Sequence, residues 1–197
     1  MDPYLVFAAF VGVGLATWNF DPQLRLALLR LVLLAGVLLY ADRRQLPVDY
    51  SLSKVIQGLA IGALVGLPFV LFAPSFFGAT GERFYGSKDL FVLVERAVFI
   101  TPLVEALFFR GFLQREKGLT AAAALFGLAQ GIYVITGAAM YWAVLLTLMV
   151  ATGLLGLIYG YVAERYGLAA SAACQAAANF LLLGLPPILQ RFGALFP

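Results

Sequence analysis

The sequence predicts an all-α fold: a polytopic integral membrane helical bundle of about seven transmembrane helices, in a single membrane domain over 1–197. Three observations carry this. Of 197 residues, 63% are hydrophobic and only 12% charged, with mean hydropathy +0.96; soluble globular chains run at roughly 45–50% apolar. The apolar residues fall in runs approaching the about 20 residues that cross roughly 30 Å of hydrocarbon. Short clusters of Pro, Gly and charge separate those runs. Such a composition excludes disorder, a collagen-like chain and a nucleic-acid platform.

The runs are Tyr4 to Trp18, Leu26 to Tyr40, Val55 to Phe72, Leu90 to Phe109, Thr120 to Ile135, Tyr141 to Tyr161 and Leu168 to Leu185. The first, second and fifth are short, and Arg30 sits inside the second, either snorkelling or facing the bundle. The first is expected to be a span and not a cleaved leader, because an acid and not a basic stretch precedes it in MDPY and no small-residue cleavage site comes before WNFDPQ. NFDPQ, ADRRQLPVDYSLSK, APSFFGATGERFYGSKD, QREKG, TGAA, AERYG and a PP-containing tail read as the connections. The third is the longest, a lid, a docking surface or a plain solvated loop.

Arg43, Arg44, Lys54, Arg115, Lys117 and Arg165 fall on one side of the predicted membrane, and Arg25, Arg83, Lys88 and Arg191 on the other. The positive-inside rule then places the amino terminus in the cytoplasm, in what is expected to be a prokaryotic cell membrane. A net charge of +3 reflects this orientation and not a nucleic-acid partner. There is no histidine, and Cys174 is the lone cysteine. Histidine-based proton transfer, histidine-held metal or haem and a disulfide framework are thereby excluded.

Polar side chains inside spans are costly and mark candidate sites. The fourth span carries Glu95, Arg96, Glu105 and Arg110, the fifth Gln130, and the seventh Gln175 and Asn179, four apart and so on one helical face. Glu95 and Arg96 fall near a membrane surface, where solvation accounts for them. At 1.5 Å per residue Glu105 lies roughly 8 Å deep, Gln130 roughly 15 Å, and Gln175 and Asn179 roughly 10 and 17 Å, all in one half of the bilayer. They are expected to share a polar cavity. Amides also serve as interhelical glue, at about 1 kcal/mol each. Arg110, five residues beyond Glu105, is not ideally placed on the same α-helical face.

Three strings containing these residues, TPLVEALFFRGFLQRE (Thr101 to Glu116), LFGLAQG (Leu125 to Gly131) and GLIYGYVAERYGLAASAACQAAANF (Gly156 to Phe180), resemble the CAAX protease and bacteriocin-processing family. These are integral membrane proteins that include the type II CAAX prenyl endopeptidases. The resemblance covers a core at about 91–185. It implies a helical bundle with a water-filled cavity, in which a glutamate and a histidine activate water while a second histidine and an asparagine support the oxyanion. Carried over, Glu105 stands at the first glutamate of the family's pair, Arg110 at its arginine and Asn179 at its asparagine. Ala106 replaces the second glutamate, and Gln130 and Gln175 replace the two histidines.

Glutamine hydrogen-bonds but does not titrate. Proton transfer typically contributes 10²–10⁴-fold to such a hydrolysis and one oxyanion donor about 10²–10³-fold, so the amides recover part of the second and little of the first. Ala106 also removes the partner expected for Arg110, loosening the helix that presents Glu105. The expectation is a catalytically degenerate, CAAX-protease-like pseudoprotease without metal or other cofactor of its own chemistry. It acts as a binding or scaffolding subunit for a membrane lipid, a hydrophobic cofactor or another membrane protein. Arg110, Gln130 and Gln175 line its cavity. The alternative is an active intramembrane endopeptidase using water activated by Glu105, with Asn179 assisting. A transporter or channel has only the intramembrane charges in its favour and lacks the internal repeat common in transporters.

Overall fold

The computed structural model describes residues 2–41, 50–72, 89–135 and 142–191. Seven helices cover them: α1 (Pro3–Ala16), α2 (Pro22–Ala41), α3 (Leu52–Phe72), α4 (90–117), α5 (Leu119–Val134), α6 (Trp142–Tyr166) and α7 (168–191). Five are long and apolar enough to cross a membrane, while α1 and α5 are shorter apolar helices. This is an all-α membrane bundle.

Aspartate starts three of the helices. Asp2 accepts from Tyr4 N–H at 3.0 Å, Asp21 from the N–H groups of Gln23 and Leu24 at 2.9 and 3.1 Å, and Asp89 from Phe91 N–H at 2.8 Å. In α1 and α2 a proline follows the cap, where its missing N–H costs nothing. The second helix therefore begins at Pro22, ahead of the predicted Leu26, and takes Arg25 inside. The fourth runs on to Lys117, so QREK is its last turn and not a loop. AERY likewise ends α6. Each of these helices reverses into the next through a single residue, Gly118 (φ 87°) and Gly167 (φ 96°), a backbone setting open to glycine.

Lys117 meets the Asp2 carboxylate at 3.2 Å and the Tyr4 ring at 4.5 Å, which puts the amino terminus at the same end of the bundle as these two reversals. The Tyr4 N–H, with help from Lys117, holds the Asp2 carboxyl below the usual carboxylate range. Arg43, Arg44, Arg83, Lys88, the GATGERFYGSK stretch and TGAA lie outside the described residues.

Small residues set the closest contacts. Gly58, Gly62 and Gly66, four apart on α3, face α7; a Cβ at Gly58 would stand 2.1 Å from the Ala170 carbonyl oxygen, and one at Gly62 2.1 Å from that of Cys174. Backbone lies on backbone there, as small-xxx-small packing allows. Gly127 repeats this between α5 and α6, 2.4 Å from the Met149 oxygen. A ladder of rings fills the centre: Phe108, Phe109 and Phe112 are fully buried, with Phe109 edge-on to Phe7 and Phe126, and Phe126 edge-on to Tyr159.

Three segments are π-helical: Glu95–Ile100 and Ala106–Leu113 in α4, and Phe180–Gly184 in α7. Pro102 follows the first, and Pro186 and Pro187 follow the third. A proline in a helix removes a donor and collides with the carbonyl four residues back. Those carbonyls, Val98, Leu182 and Leu183, all lie within the wider turns.

Candidate functional site

Glu105 closes the α-turn Thr101–Glu105 and opens the second π segment, and it is 1% exposed. Gln130 on α5 donates Nε2–H to Glu105 Oε1 at 3.0 Å. Gln175 on α7 donates Nε2–H to Oε2, and its own Oε1 accepts from Arg110 Nη1 at 3.0 Å. Both carboxylate oxygens are thus held by amide donors from two other helices, and one of those amides hands the contact on to a guanidinium. Glu105, Gln130 and Gln175 meet as their depths suggested; Arg110 joins them although its spacing on an α-helix did not.

Five residues at the α-helical 100° turn through about 140°, which would aim Arg110 away from Glu105. Ala106–Leu113 is wound with i→i+5 bonds instead, and this register brings residues five apart onto one face. Nor does Ala106 leave the arginine loose. Arg110 is 4% exposed, held by Gln175 and lying 4.3 Å from the Phe126 ring centre and 5.1 Å from that of Tyr159.

Asn179 is placed elsewhere. Its Nδ2 donates to the Ala97 carbonyl at 3.0 Å. In the first π segment the Thr101 N–H bonds the Arg96 oxygen, five residues back. The same register would give Ala97 the N–H of residue 102, which is proline and has none. Asn179 supplies the missing donor, so its side chain closes a gap in the α4 backbone and lies apart from the Glu105 hydrogen bonds.

Two arginines gained roles that the sequence did not assign. Arg30 faces the bundle and donates to Thr101 Oγ1, one turn before Glu105, on which its charge also acts. Arg25, counted above as a surface charge, is 2% exposed and donates to the carbonyls of Ile132 (2.6 Å), Tyr133 (2.8 Å) and Gly14 (3.1 Å), at the carboxyl ends of α5 and α1. A cation there satisfies carbonyls that have no partner in their own helix. The run DPQLRLALLR places both arginines, five apart, in a continuous apolar helix, which is the signal that they turn inward.

Open space adjoins Arg110. A cleft of about 350 Å³ runs between the last turn of α4 and the α6–α7 reversal, with Arg110, Gln114, Arg115, Glu164 and Gly167 in its wall. Glu105, Gln130 and Gln175 do not line it. The cavity expected to be shared by the four polar residues is therefore a packed hydrogen-bonded cluster around three of them plus Arg110, beside a cleft that Arg110 alone reaches. Gln114 at the cleft donates Nε2–H to the Gly160 carbonyl (3.1 Å) and to Glu164 Oε1 (3.0 Å).

Chemically the cluster can hold a negative charge and orient it. Of its members only Glu105 is an acid, since amides do not titrate and guanidinium stays protonated. Among the described residues no three His, Cys, Asp or Glu side chains come together.

The family model described as Type II CAAX prenyl endopeptidase Rce1-like matches residues 87–181. No curated protein and no solved structure matches the chain.

Proposed function

With residues 87–181 an Rce1-like core of the type II CAAX prenyl endopeptidase family, we propose that this membrane protein is a catalytically silent form of that core. On this reading it serves as a binding or scaffolding subunit for a lipid, a hydrophobic cofactor or a transmembrane partner. One observation carries the reading: both oxygens of Glu105 accept from glutamine amides, so the acid that would have to activate water is occupied by groups that cannot relay a proton. A hydrolytic centre needs a base facing water and an acid near the leaving nitrogen. Here the carboxylate is sealed, and its neighbours are two amides and an arginine.

The residues that replace proton carriers still make every hydrogen bond of a rigid polar joint between α4, α5 and α7. Such a joint suits a bundle whose task is to present a fixed surface. The end bearing the amino terminus, Gly118 and Gly167 is assigned to the cytoplasm, on the basic residues Arg115, Lys117 and Arg165 clustered there.

Purified protein incubated with prenylated and unprenylated peptides, alongside Glu105→Ala, tests this directly. No cleavage by either protein is expected, together with a stoichiometric lipid, pigment or membrane protein retained through mild extraction. Specific cleavage that disappears in Glu105→Ala would overturn the silent reading, and a bare monomer after mild extraction would overturn the binding role.

A further inference from the structure

We propose that Glu105 is a proton-binding site with a single place for the proton, Oε1, and that the Gln130 amide turns over when the proton binds. The donors and acceptors of the four side chains carry this. A guanidinium has only donors. Arg110 Nη1 therefore meets Gln175 through the amide oxygen, which leaves Gln175 Nε2 to face Glu105 Oε2. An amide NH2 cannot accept, so Oε2 accepts in either charge state of the carboxyl. A proton added to Glu105 has to sit on Oε1.

Oε1 faces Gln130, which donates to it through Nε2 at 3.0 Å. With a proton on Oε1, two donors would meet there. Half a turn of the amide puts the Gln130 oxygen against the new hydroxyl and restores one donor to one acceptor. Among the described residues no hydrogen bond or ion pair holds the other end of the Gln130 amide, whereas Gln175 is fixed at both ends. Gln130 is also the less sealed of the two, 8% exposed against 1%, which puts the titrating oxygen beside the more accessible amide.

The charges acting on the carboxyl are Arg110 on its own helix and Arg30 on α2. From α5 and α7 it meets Gln130 and Gln175. The titratable side chains Tyr159 of α6 and Cys174 of α7 act on Arg110. Two cations and two amides cannot take the proton onward, so the site holds a proton and does not relay it. The inference shares this cluster with the proposed function but stands apart from it. Peptide cleavage would refute the silent core and leave the turning amide untouched; a fixed Gln130 amide would do the reverse.

Full-length protein with isotope-labelled glutamine amides is followed by NMR in detergent from about pH 4 to about pH 9, from the ordinary glutamate value to several units above it. The Gln130 signal, identified by its loss in Gln130→Leu or Gln130→Asn, should move along one titration curve, with a smaller shift at Gln175. In Glu105→Gln an amide nitrogen stands where the protonated oxygen would be, and the Gln130 signal should keep its acid position at every pH. Infrared spectra should show a protonated carboxyl band, missing from Glu105→Gln, growing in with the same midpoint. A Gln130 signal that stays put over the whole range overturns the proposal. So does a Gln175 signal that moves as far, or a carboxyl band with a different midpoint.

Discussion

The α3–α7 seam and the crossing of α4, α5 and α7 at Glu105 lie along the same helix yet are held by opposite means. At the seam Gly58 and Gly62 bring backbone against the backbone of Ala170 and Cys174. At the crossing, a carboxylate, two amides and a guanidinium span the gap between helices. Cys174, whose carbonyl meets the seam, and Gln175, whose amide meets the crossing, are neighbours in sequence. In lipid, hydrocarbon tails compete equally for apolar side chains, so helices are fixed either by very close approach or by polar contacts that lipid cannot replace. This bundle uses each on a different face of α7.

The largest effect should come from adding volume to the seam. Gly62→Leu drives a side chain into the Cys174 carbonyl, which cannot rotate away, and should cost on the order of 3 kcal/mol or prevent folding altogether, read as loss of the thermal transition in detergent. At the crossing, Glu105→Ala leaves the Gln130 and Gln175 amides without their acceptor and should lower stability by about 2–3 kcal/mol in the same assay. Glu105→Gln keeps one acceptor oxygen and should cost less. If Glu105→Ala melts like the wild type, the crossing is not a structural joint and the contrast fails.

Asn179→Leu should cost about 1–2 kcal/mol by orphaning the Ala97 carbonyl, with the loss of hydrogen-exchange protection confined to the first π segment of α4. A change spreading to Glu105 would place Asn179 in the cluster after all. Gly12, whose added Cβ meets nothing within 4 Å, sharpens the seam argument from the other side. Gly12→Ala should stabilise α1 by about 0.5–1 kcal/mol. The smallest effect belongs to Asp2. Its carboxyl is held low in the folded protein, so its contribution is present above about pH 4 and is lost as pH falls through the lowered value. In thermal unfolding, wild type and Asp2→Asn should differ slightly at about pH 6 and converge once the pH has fallen below the lowered value.

Hydropathy and depth arithmetic were enough to reveal the seven helices and to bring Glu105, Gln130 and Gln175 together, because burial in lipid leaves few places for such groups. Arg110 and Asn179 escaped for one shared reason. Both depend on π turns, and periodicity assumes 100° per residue. Once Ala106–Leu113 widens, Arg110 comes round to Glu105; once Glu95–Ile100 widens ahead of Pro102, Ala97 loses its donor and captures Asn179. Pro102 was the visible hint. Arg25 was misjudged because charge near a span end reads as solvated, and the carbonyls it serves, Gly14, Ile132 and Tyr133, carry no mark in the amino-acid sequence. The four-residue spacing of Gly58, Gly62 and Gly66 is a readable sign of close approach, but which helix approaches is a tertiary fact.

The single-glycine reversals at Gly118 and Gly167 leave both hairpins without slack. Each pair of helices must move as one lever, since a lone joint transmits rotation but has no spare chain to absorb sliding. An epitope or protease site spliced in at either position would push apart the helix ends on which Lys117 grips the amino terminus and α7 opens.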